Sequence, residues 1–337
     1  MSHCGAVIHR SVVIAAFAAA VTAGVACTRP SRLPAALTDE EFRNALTAGS
    51  EPAGEFVHAE NLISNETHFP DMVRLIGSVG GIYLGVGPEQ NFSYIAGVRP
   101  EMAFIVDIRQ ANRDLHLLYK ALFEISADRV EFVGHLFSRE LARGLPPSVS
   151  AEDLFAALDA AEPSPARCER TVTLVGDRLR DVHRLELTPA DYESVASQLR
   201  TFCSRGPGIR YQTGDLIGPS YRELMTATDL LHRPRSYLAD EEAFAFVKGM
   251  QARNLIVPLV GDFAGSGALA AAASFAREHG APVRVFYGSN VEVYLSREQT
   301  VRFCRNLALV PIDSRSWFVG NKGMRTFRSK LDACPAE

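Results

Sequence analysis

Short unbroken apolar runs, glycine-rich turns and stretches of helical periodicity divide the chain. Ile82-Tyr83-Leu84 stops at Gly85-Val86-Gly87, and Ala103–Val106 stops at Asp107. Runs with no alternating polar positions predict strands covered on both faces, as in a parallel sheet. Asn254 to Val260 (NLIVPLV) predicts another such strand, ending at Gly261-Asp262-Phe263-Ala264-Gly265-Ser266-Gly267. An Ala-rich helix and a strand at Pro282–Tyr287 follow. Arg109–Ile125 carries Leu115, Leu118, Leu122 and Ile125 at the spacing of a core-facing helical stripe, which puts His116 on its flank. Phe69–Ile76 reads as an amphipathic helix ending at Gly77. Asp39–Leu46 reads as a short helix, with Thr38 as cap and Glu41 as its capping-box partner.

The remaining segments complete an α/β fold. Arg129–Val133 (RVEFV) reads as the third strand, followed by Gly134-His135-Leu136. About Leu141 to about Lys248 then reads as an insertion, because a bare α/β unit needs far fewer residues there. It has helical patches at Ala151–Ala161, Asp191–Thr201 and Ser220–Leu231, and a strand or hairpin at Thr171–Leu179. Leu309-Val310-Pro311, Trp317-Phe318-Val319 and the turn at Gly320-Asn321-Lys322-Gly323 predict a terminal hairpin, antiparallel to the rest of a mostly parallel sheet with helices on both faces.

Chemistry enters at the strand ends. Glycines after a first strand let backbone approach a ligand, and an acid about twenty residues on, at the tip of the second strand, can accept ribose hydroxyls. Gln90 stands where a dinucleotide fingerprint has its third glycine, and Glu89 in the loop would repel an anion. A ligand with a sugar and no phosphate, such as S-adenosylmethionine, therefore fits better than a dinucleotide. The candidate cofactor-binding residues are Gly85, Gly87, Glu89, Asn91 and Asp107, and the candidate substrate-orienting residues are Asp262 and Asn290. Plainer roles stand beside these: a tight turn at the glycines, helix caps at Asp107 and Asp262, a turn at Asn290. The sequence has no HExxH, GxSxG or CxxC pattern, and no metal is expected.

ENLISNE (60–66), GVGPEQNFSYIA (85–96), AFIVDIR (103–109) and NVEVYL (290–295) resemble a bacterial family of uncharacterised proteins with a class I methyltransferase-like, Rossmann-like fold. The resemblance runs from about Glu51 to about Phe327. It implies that Asn65, Glu66 and Thr67 belong to a segment able to close over the cofactor. It puts His135 after the third strand, where an acid often contacts adenine, and Asp262 after the fourth, facing the transferred methyl. Ser289-Asn290-Val291-Glu292 would reach the same rim after the fifth.

Composition adds compartment rather than chemistry. Of 337 residues, 47% are hydrophobic and 22% charged, enough for a sizeable core. A net charge of −4 gives no electrostatic footprint for nucleic acid, so the expected partner is a small-molecule ligand. His9 and Arg10 precede the apolar run Ser11–Ala26, which is short for a bilayer span and reads as a secretory signal over residues 1–26. Cys27 follows it. Lipid attachment at Cys27, cleavage without lipid, and an uncleaved anchor are the three outcomes, and only the lipid would bring in a membrane. Residues 27–38 read as a linker and residues 39–330 as the domain. Of Cys168, Cys203, Cys304 and Cys334, pairing Cys168 with Cys203 and Cys304 with Cys334 is one connectivity of three, beside four free thiols. Export separates the chain from cytoplasmic S-adenosylmethionine. Two functions therefore stay open: methyl transfer to an unknown substrate, or an exported binding or structural module on the same fold without that chemistry.

Overall fold

The computed structural model describes residues 33–56, 61–141 and 145–335. The signal-like run, Cys27 and the first part of the linker lie outside them. No helix among the described residues is long and apolar enough to cross a membrane.

The main sheet has six strands in the order β5-β2-β1-β6-β7-β8. Its strands are β1 (Ile82–Gly85), β2 (Met102–Asp107), β5 (Ile256–Val260), β6 (Val283–Ser289), β7 (Trp317–Gly320) and β8 (Gly323–Thr326). A separate hairpin is made of β3 (Arg210–Thr213) and β4 (Leu216–Ser220). All pairings in the main sheet are parallel except β7 with β8, which forms the expected antiparallel C-terminal edge. Every residue of β1, β2 and β5 is buried, which is why these strands carry no polar alternation. Helices pack against both faces. The register pairs Gly85 with Ile105 and Asp107 with Val260, so the carboxyl ends of β1, β2 and β5 form one edge. Strand order reverses at β1: β2 and β5 lie on one side, and β6, β7 and β8 on the other.

Two expected strands are helical. Arg129–Leu136 is an α-helix capped by Asp128, whose side chain accepts from the Glu131 backbone N–H. The third strand of the sheet is therefore β5, and His135 follows no strand. Thr171–Leu179 lies in the helix Pro165–Asp177 and the π-turn after it, started by the Ser164 cap and Pro165. In both places local capping outweighed the β-branched composition. The expected helix Ser220–Leu231 stops at Met225, and Leu309-Val310-Pro311 is not a strand.

The helices inserted between β2 and β5 cover the face of Gln110–Ile125 that a simpler α/β unit would leave wet. The helix Pro189–Arg205 packs on Gln110–Ile125 and is joined to Pro165–Asp177 by Cys168–Cys203. The second disulfide, Cys304–Cys334, ties the helix Arg297–Ala308 to the C-terminal end. His116 is consequently buried, not on an exposed flank.

A charged cluster fastens the insertion to the N-terminal helix Asp39–Ala48. Glu124 is 1% exposed and accepts from Lys120 Nζ at 2.7 Å, Arg178 Nε at 2.6 Å and His183 Nε2 at 2.7 Å. His183 Nδ1 lies 2.7 Å from Asp39 Oδ1. Asn254 donates to Asp39 at 3.1 Å and accepts from Lys120 at 2.6 Å. Burial alone would raise the Glu124 carboxyl, but the hydrogen bonds and charges of His183 and Lys120 outweigh it and hold the pKa at about 2. Among the described residues no group of His, Cys, Asp and Glu side chains is arranged to hold a metal ion.

Candidate functional site

The carboxyl ends of four strands open into one cleft with a cavity volume of about 230 Å³. The turn after β1 supplies Val86 and Gly87, the end of β2 Asp107, the turn after β5 Asp262 and Phe263, and the end of β6 and the residue after it Ser289 and Asn290. The reversal of strand order at β1 makes this the place where an open α/β sheet has room for a ligand. The chain before β1 passes over the same edge. Glu51 donates its N–H to the Val260 carbonyl at 2.8 Å and Gly54 to Ile108 at 3.0 Å, which carries Phe56 to the cleft wall.

The glycine loop is held from beneath. Gly87 has φ +78°, a backbone conformation that favours glycine. A Cβ at Gly85 would lie 1.9 Å from Asn91 Oδ1, so the glycine makes room for Asn91. Asn91 accepts from Tyr83 Oη at 2.9 Å and donates to the carbonyls of Val86, Gly87 and Pro88 at 3.0, 3.0 and 2.7 Å. The Gly87 carbonyl also accepts from Asn112 at 3.1 Å and from His116 Nε2 at 2.8 Å. Burial pushes the His116 pKa down to about 4 against that bond, so the ring is neutral at pH 7 and Nε2 carries the proton. Asn91 thus braces the loop and is not on the cleft lining.

Glu89 also faces inward. It has no exposed surface, and both its oxygens accept from the Ser64 backbone N–H at 3.2 Å. Burial, partly offset by that bond, pushes its pKa up to about 8. The anion-repelling acid expected in the loop is a neutral group beneath it.

Asp107 sits at the cleft as its place at the end of β2 predicts, but it has an intramolecular partner. Arg109 Nε donates to Oδ1 and Nη2 to Oδ2, both at 3.0 Å, and the Arg109 backbone N–H donates to Oδ1 at 2.9 Å. The helix Gln110–Ile125 has Arg109 as its N-cap and no side-chain cap bond, so Asp107 makes a local turn onto Arg109 rather than the expected helix cap, and keeps its cleft position. Asp262 lines the cleft and accepts from the Ala264 N–H at 2.8 Å, so a local turn and a cleft position coexist there too. Asn290 lines the cleft at the start of the 3-10 turn Val291–Val293.

Sequence reasoning missed two features and placed a third only in a covering segment. The first is Arg109, whose side chain is 11% exposed on the cleft lining. The second is Glu51, whose carboxylate accepts from the N–H groups of Asp262, Ser266 and Gly267 at 3.2, 2.9 and 2.7 Å. Gly261, Gly265 and Gly267 crowd that carboxylate, and a Cβ on any of them would meet the Glu51 side chain within 2.7 Å. The glycines after β5 thus accommodate a side chain of this chain. The third is Glu66, which accepts from Ser289 Oγ and whose pKa is raised by burial despite bonds from Ser289 and Tyr287. Ser289 has φ +46°, an unusual conformation for a non-glycine residue. Only long-range packing brings these groups together, so no local pattern marks Arg109 or Glu51, or the Glu66–Ser289 contact.

The chain belongs to the family described as a domain of unknown function (DUF7790), which matches residues 62–143 and 217–333, more than half of its length. No curated protein matches it.

Proposed function

We propose that the cleft binds a small molecule of nucleoside type, with S-adenosylmethionine the first candidate, and that the protein transfers its methyl group to a substrate at Asn290. The observation that carries this reading is the convergence of Gly87, Asp107, Asp262 and Asn290, from four strand ends, on one cleft. With β5 as third strand, the acid that a methyltransferase-like fold uses near adenine corresponds to Asp262 rather than His135. Asn290, after the fourth strand, takes the place facing the methyl. Methyl transfer needs alignment more than a strong base, and rigid strand ends supply alignment. A cavity of about 230 Å³ lies just below the usual range for organic ligands.

The test is calorimetric titration of the full chain with S-adenosylmethionine and its demethylated product. Binding near micromolar strength, about −8 kcal/mol, is expected. Asp107→Asn keeps an acceptor for the Arg109 N–H and is expected to weaken binding at least about tenfold. Asp107→Ala is the poorer variant, because it strips a buried guanidinium of its partner and confounds binding with folding. No heat at large ligand excess would overturn the reading.

A second reading is an exported binding module without transfer. The two disulfides favour it, since such bonds persist in oxidising compartments where this cofactor is not supplied. Binding of the demethylated product without any turnover would select it.

A further inference from the structure

The mouth of the cleft is built differently from its floor. Gly87, Asp107, Asp262 and Asn290 all fall within the residues matched to the family. Phe56 and Tyr211 also line the cleft, yet lie outside both matched segments. Tyr294, from the segment after β6, completes an aromatic rim with them.

The three rings and Arg109 line the cleft together. Phe56 and Tyr294 meet edge to face with centroids 4.9 Å apart. The Arg109 guanidinium lies 5.8 Å from the Phe56 centroid. Tyr211 lines the same cleft as Arg109 and Tyr294. The rim is assembled from three segments: the strap before β1, the hairpin β3–β4 and the turn after β6.

The hairpin is fixed where Tyr211 needs it. Asn61 accepts from the Gln212 N–H at 2.9 Å and donates to the Gln212 carbonyl at 3.0 Å, behaving as one residue of a neighbouring strand. Arg210 holds Glu223 through two bonds of 3.0 Å and the Gly218 carbonyl through a third of 3.0 Å. The tip residues Leu216 and Ile217 are exposed, so Tyr211 at the base, rather than the tip, is positioned on the cleft.

Aromatic side chains recognise flat rings through offset or edge-to-face contact, and they do so with little loss of side-chain freedom. A guanidinium amid them favours an acceptor atom on the ring's edge. Arg109 Nη1 is its least committed nitrogen, with a 3.4 Å contact to the Asn61 carbonyl. We infer that Phe56, Tyr211 and Tyr294 form a specificity collar for a planar ring bearing a hydrogen-bond acceptor, and that Tyr211 decides which ring enters. The inference rests on the cleft being a ligand site, but not on the identity of the ligand at its floor. The matched residues build that floor and supply Tyr294, while Phe56 and Tyr211, outside the matched segments, complete the collar across it.

The test uses two probes on the full chain: 4-hydroxybenzoate, and 4-hydroxycyclohexanecarboxylate, which has the same charge and hydroxyl but no flat face. Ligand-observed NMR titration is expected to show binding of the aromatic acid only. Tyr211→Ala should weaken it about fivefold, the scale of one lost ring contact, and Tyr211→Phe should retain most of it. Unchanged melting temperatures for both variants would show the hairpin still seated. Equal binding of the saturated acid, no binding of either acid, or an unchanged affinity in Tyr211→Ala would each overturn the collar. S-adenosylmethionine titrated into Tyr211→Ala separates the two proposals. Its binding with the collar result absent would leave the floor reading standing, and the reverse pattern would leave the collar standing alone.

Discussion

Replacing Glu124 with Gln is expected to destabilise the protein by about 3–5 kcal/mol at pH 7, because it leaves the buried Lys120 ammonium without its carboxylate and takes an acceptor from the donors around it. Lys120 is 1% exposed and His183 6% exposed, and both reach Glu124 at 2.7 Å. The lost energy is mainly the penalty of unpaired buried charge, so adding Lys120→Met to Glu124→Gln should recover part of it. The pH dependence follows from the depressed pKa of about 2. A carboxylate whose folded pKa lies below its unfolded value contributes its full stability above about pH 4.5. It loses that contribution as pH falls toward about 2, here about 3 kcal/mol in all. Urea unfolding of wild type and Glu124→Gln should therefore diverge most near neutrality and converge toward pH 2. A gap that does not change with pH would mean that Glu124 ionises in the fold near its ordinary pKa.

The same cluster explains what could and could not be read from the sequence. Thr38 and Glu41, three residues apart, form the anticipated capping box, because both partners lie within one turn. The stripe Leu115, Leu118, Leu122 identifies the buried face of its helix. It cannot say that the opposite face, with His116 and Lys120, is buried too, since the helices doing so arrive tens of residues later. Arg129–Val133 resembles a strand by composition, although Asp128 and Glu131 already carry a helix-start signal. Giving that signal precedence makes Ile256–Val260 the third strand and moves attention from His135 to Asp262.

The cleft is legible in the sequence at its floor and not at its walls. Glycines and acids at strand ends follow from sequence order plus right-handed crossovers, and Gly87, Asp107, Asp262 and Asn290 do share one edge. Arg109 escapes notice because it stands at the start of a helix, where a basic side chain is ordinarily solvated. Glu51, Phe56 and Tyr211 come from loops and an inserted hairpin, whose positions no periodicity encodes.

Glu89→Gln is expected to stabilise the protein at pH 7 by about 3 kcal/mol, an unusual sign for a buried polar substitution. The folded carboxyl has a pKa of about 8. Below about pH 4.5 the folded and unfolded chains both hold its proton, and the group contributes no pH dependence. Between about 4.5 and 8 the unfolded chain gives the proton up while the folded chain keeps it, so wild type loses about 1.4 kcal/mol per pH unit. The substituted amide has no proton to lose, and its carbonyl can still accept the Ser64 N–H that both Glu89 oxygens share. Chemical unfolding should therefore show matched stabilities near pH 4, a growing advantage for the variant to about pH 8, and a constant gap above it. Parallel pH profiles would mean that Glu89 ionises in the folded state near its ordinary pKa. That requires water at its carboxylate, and water reaches it only if the segment at Ser64 lifts from the glycine loop. Glu89 would then report opening of the cleft's cover rather than packing beneath its floor.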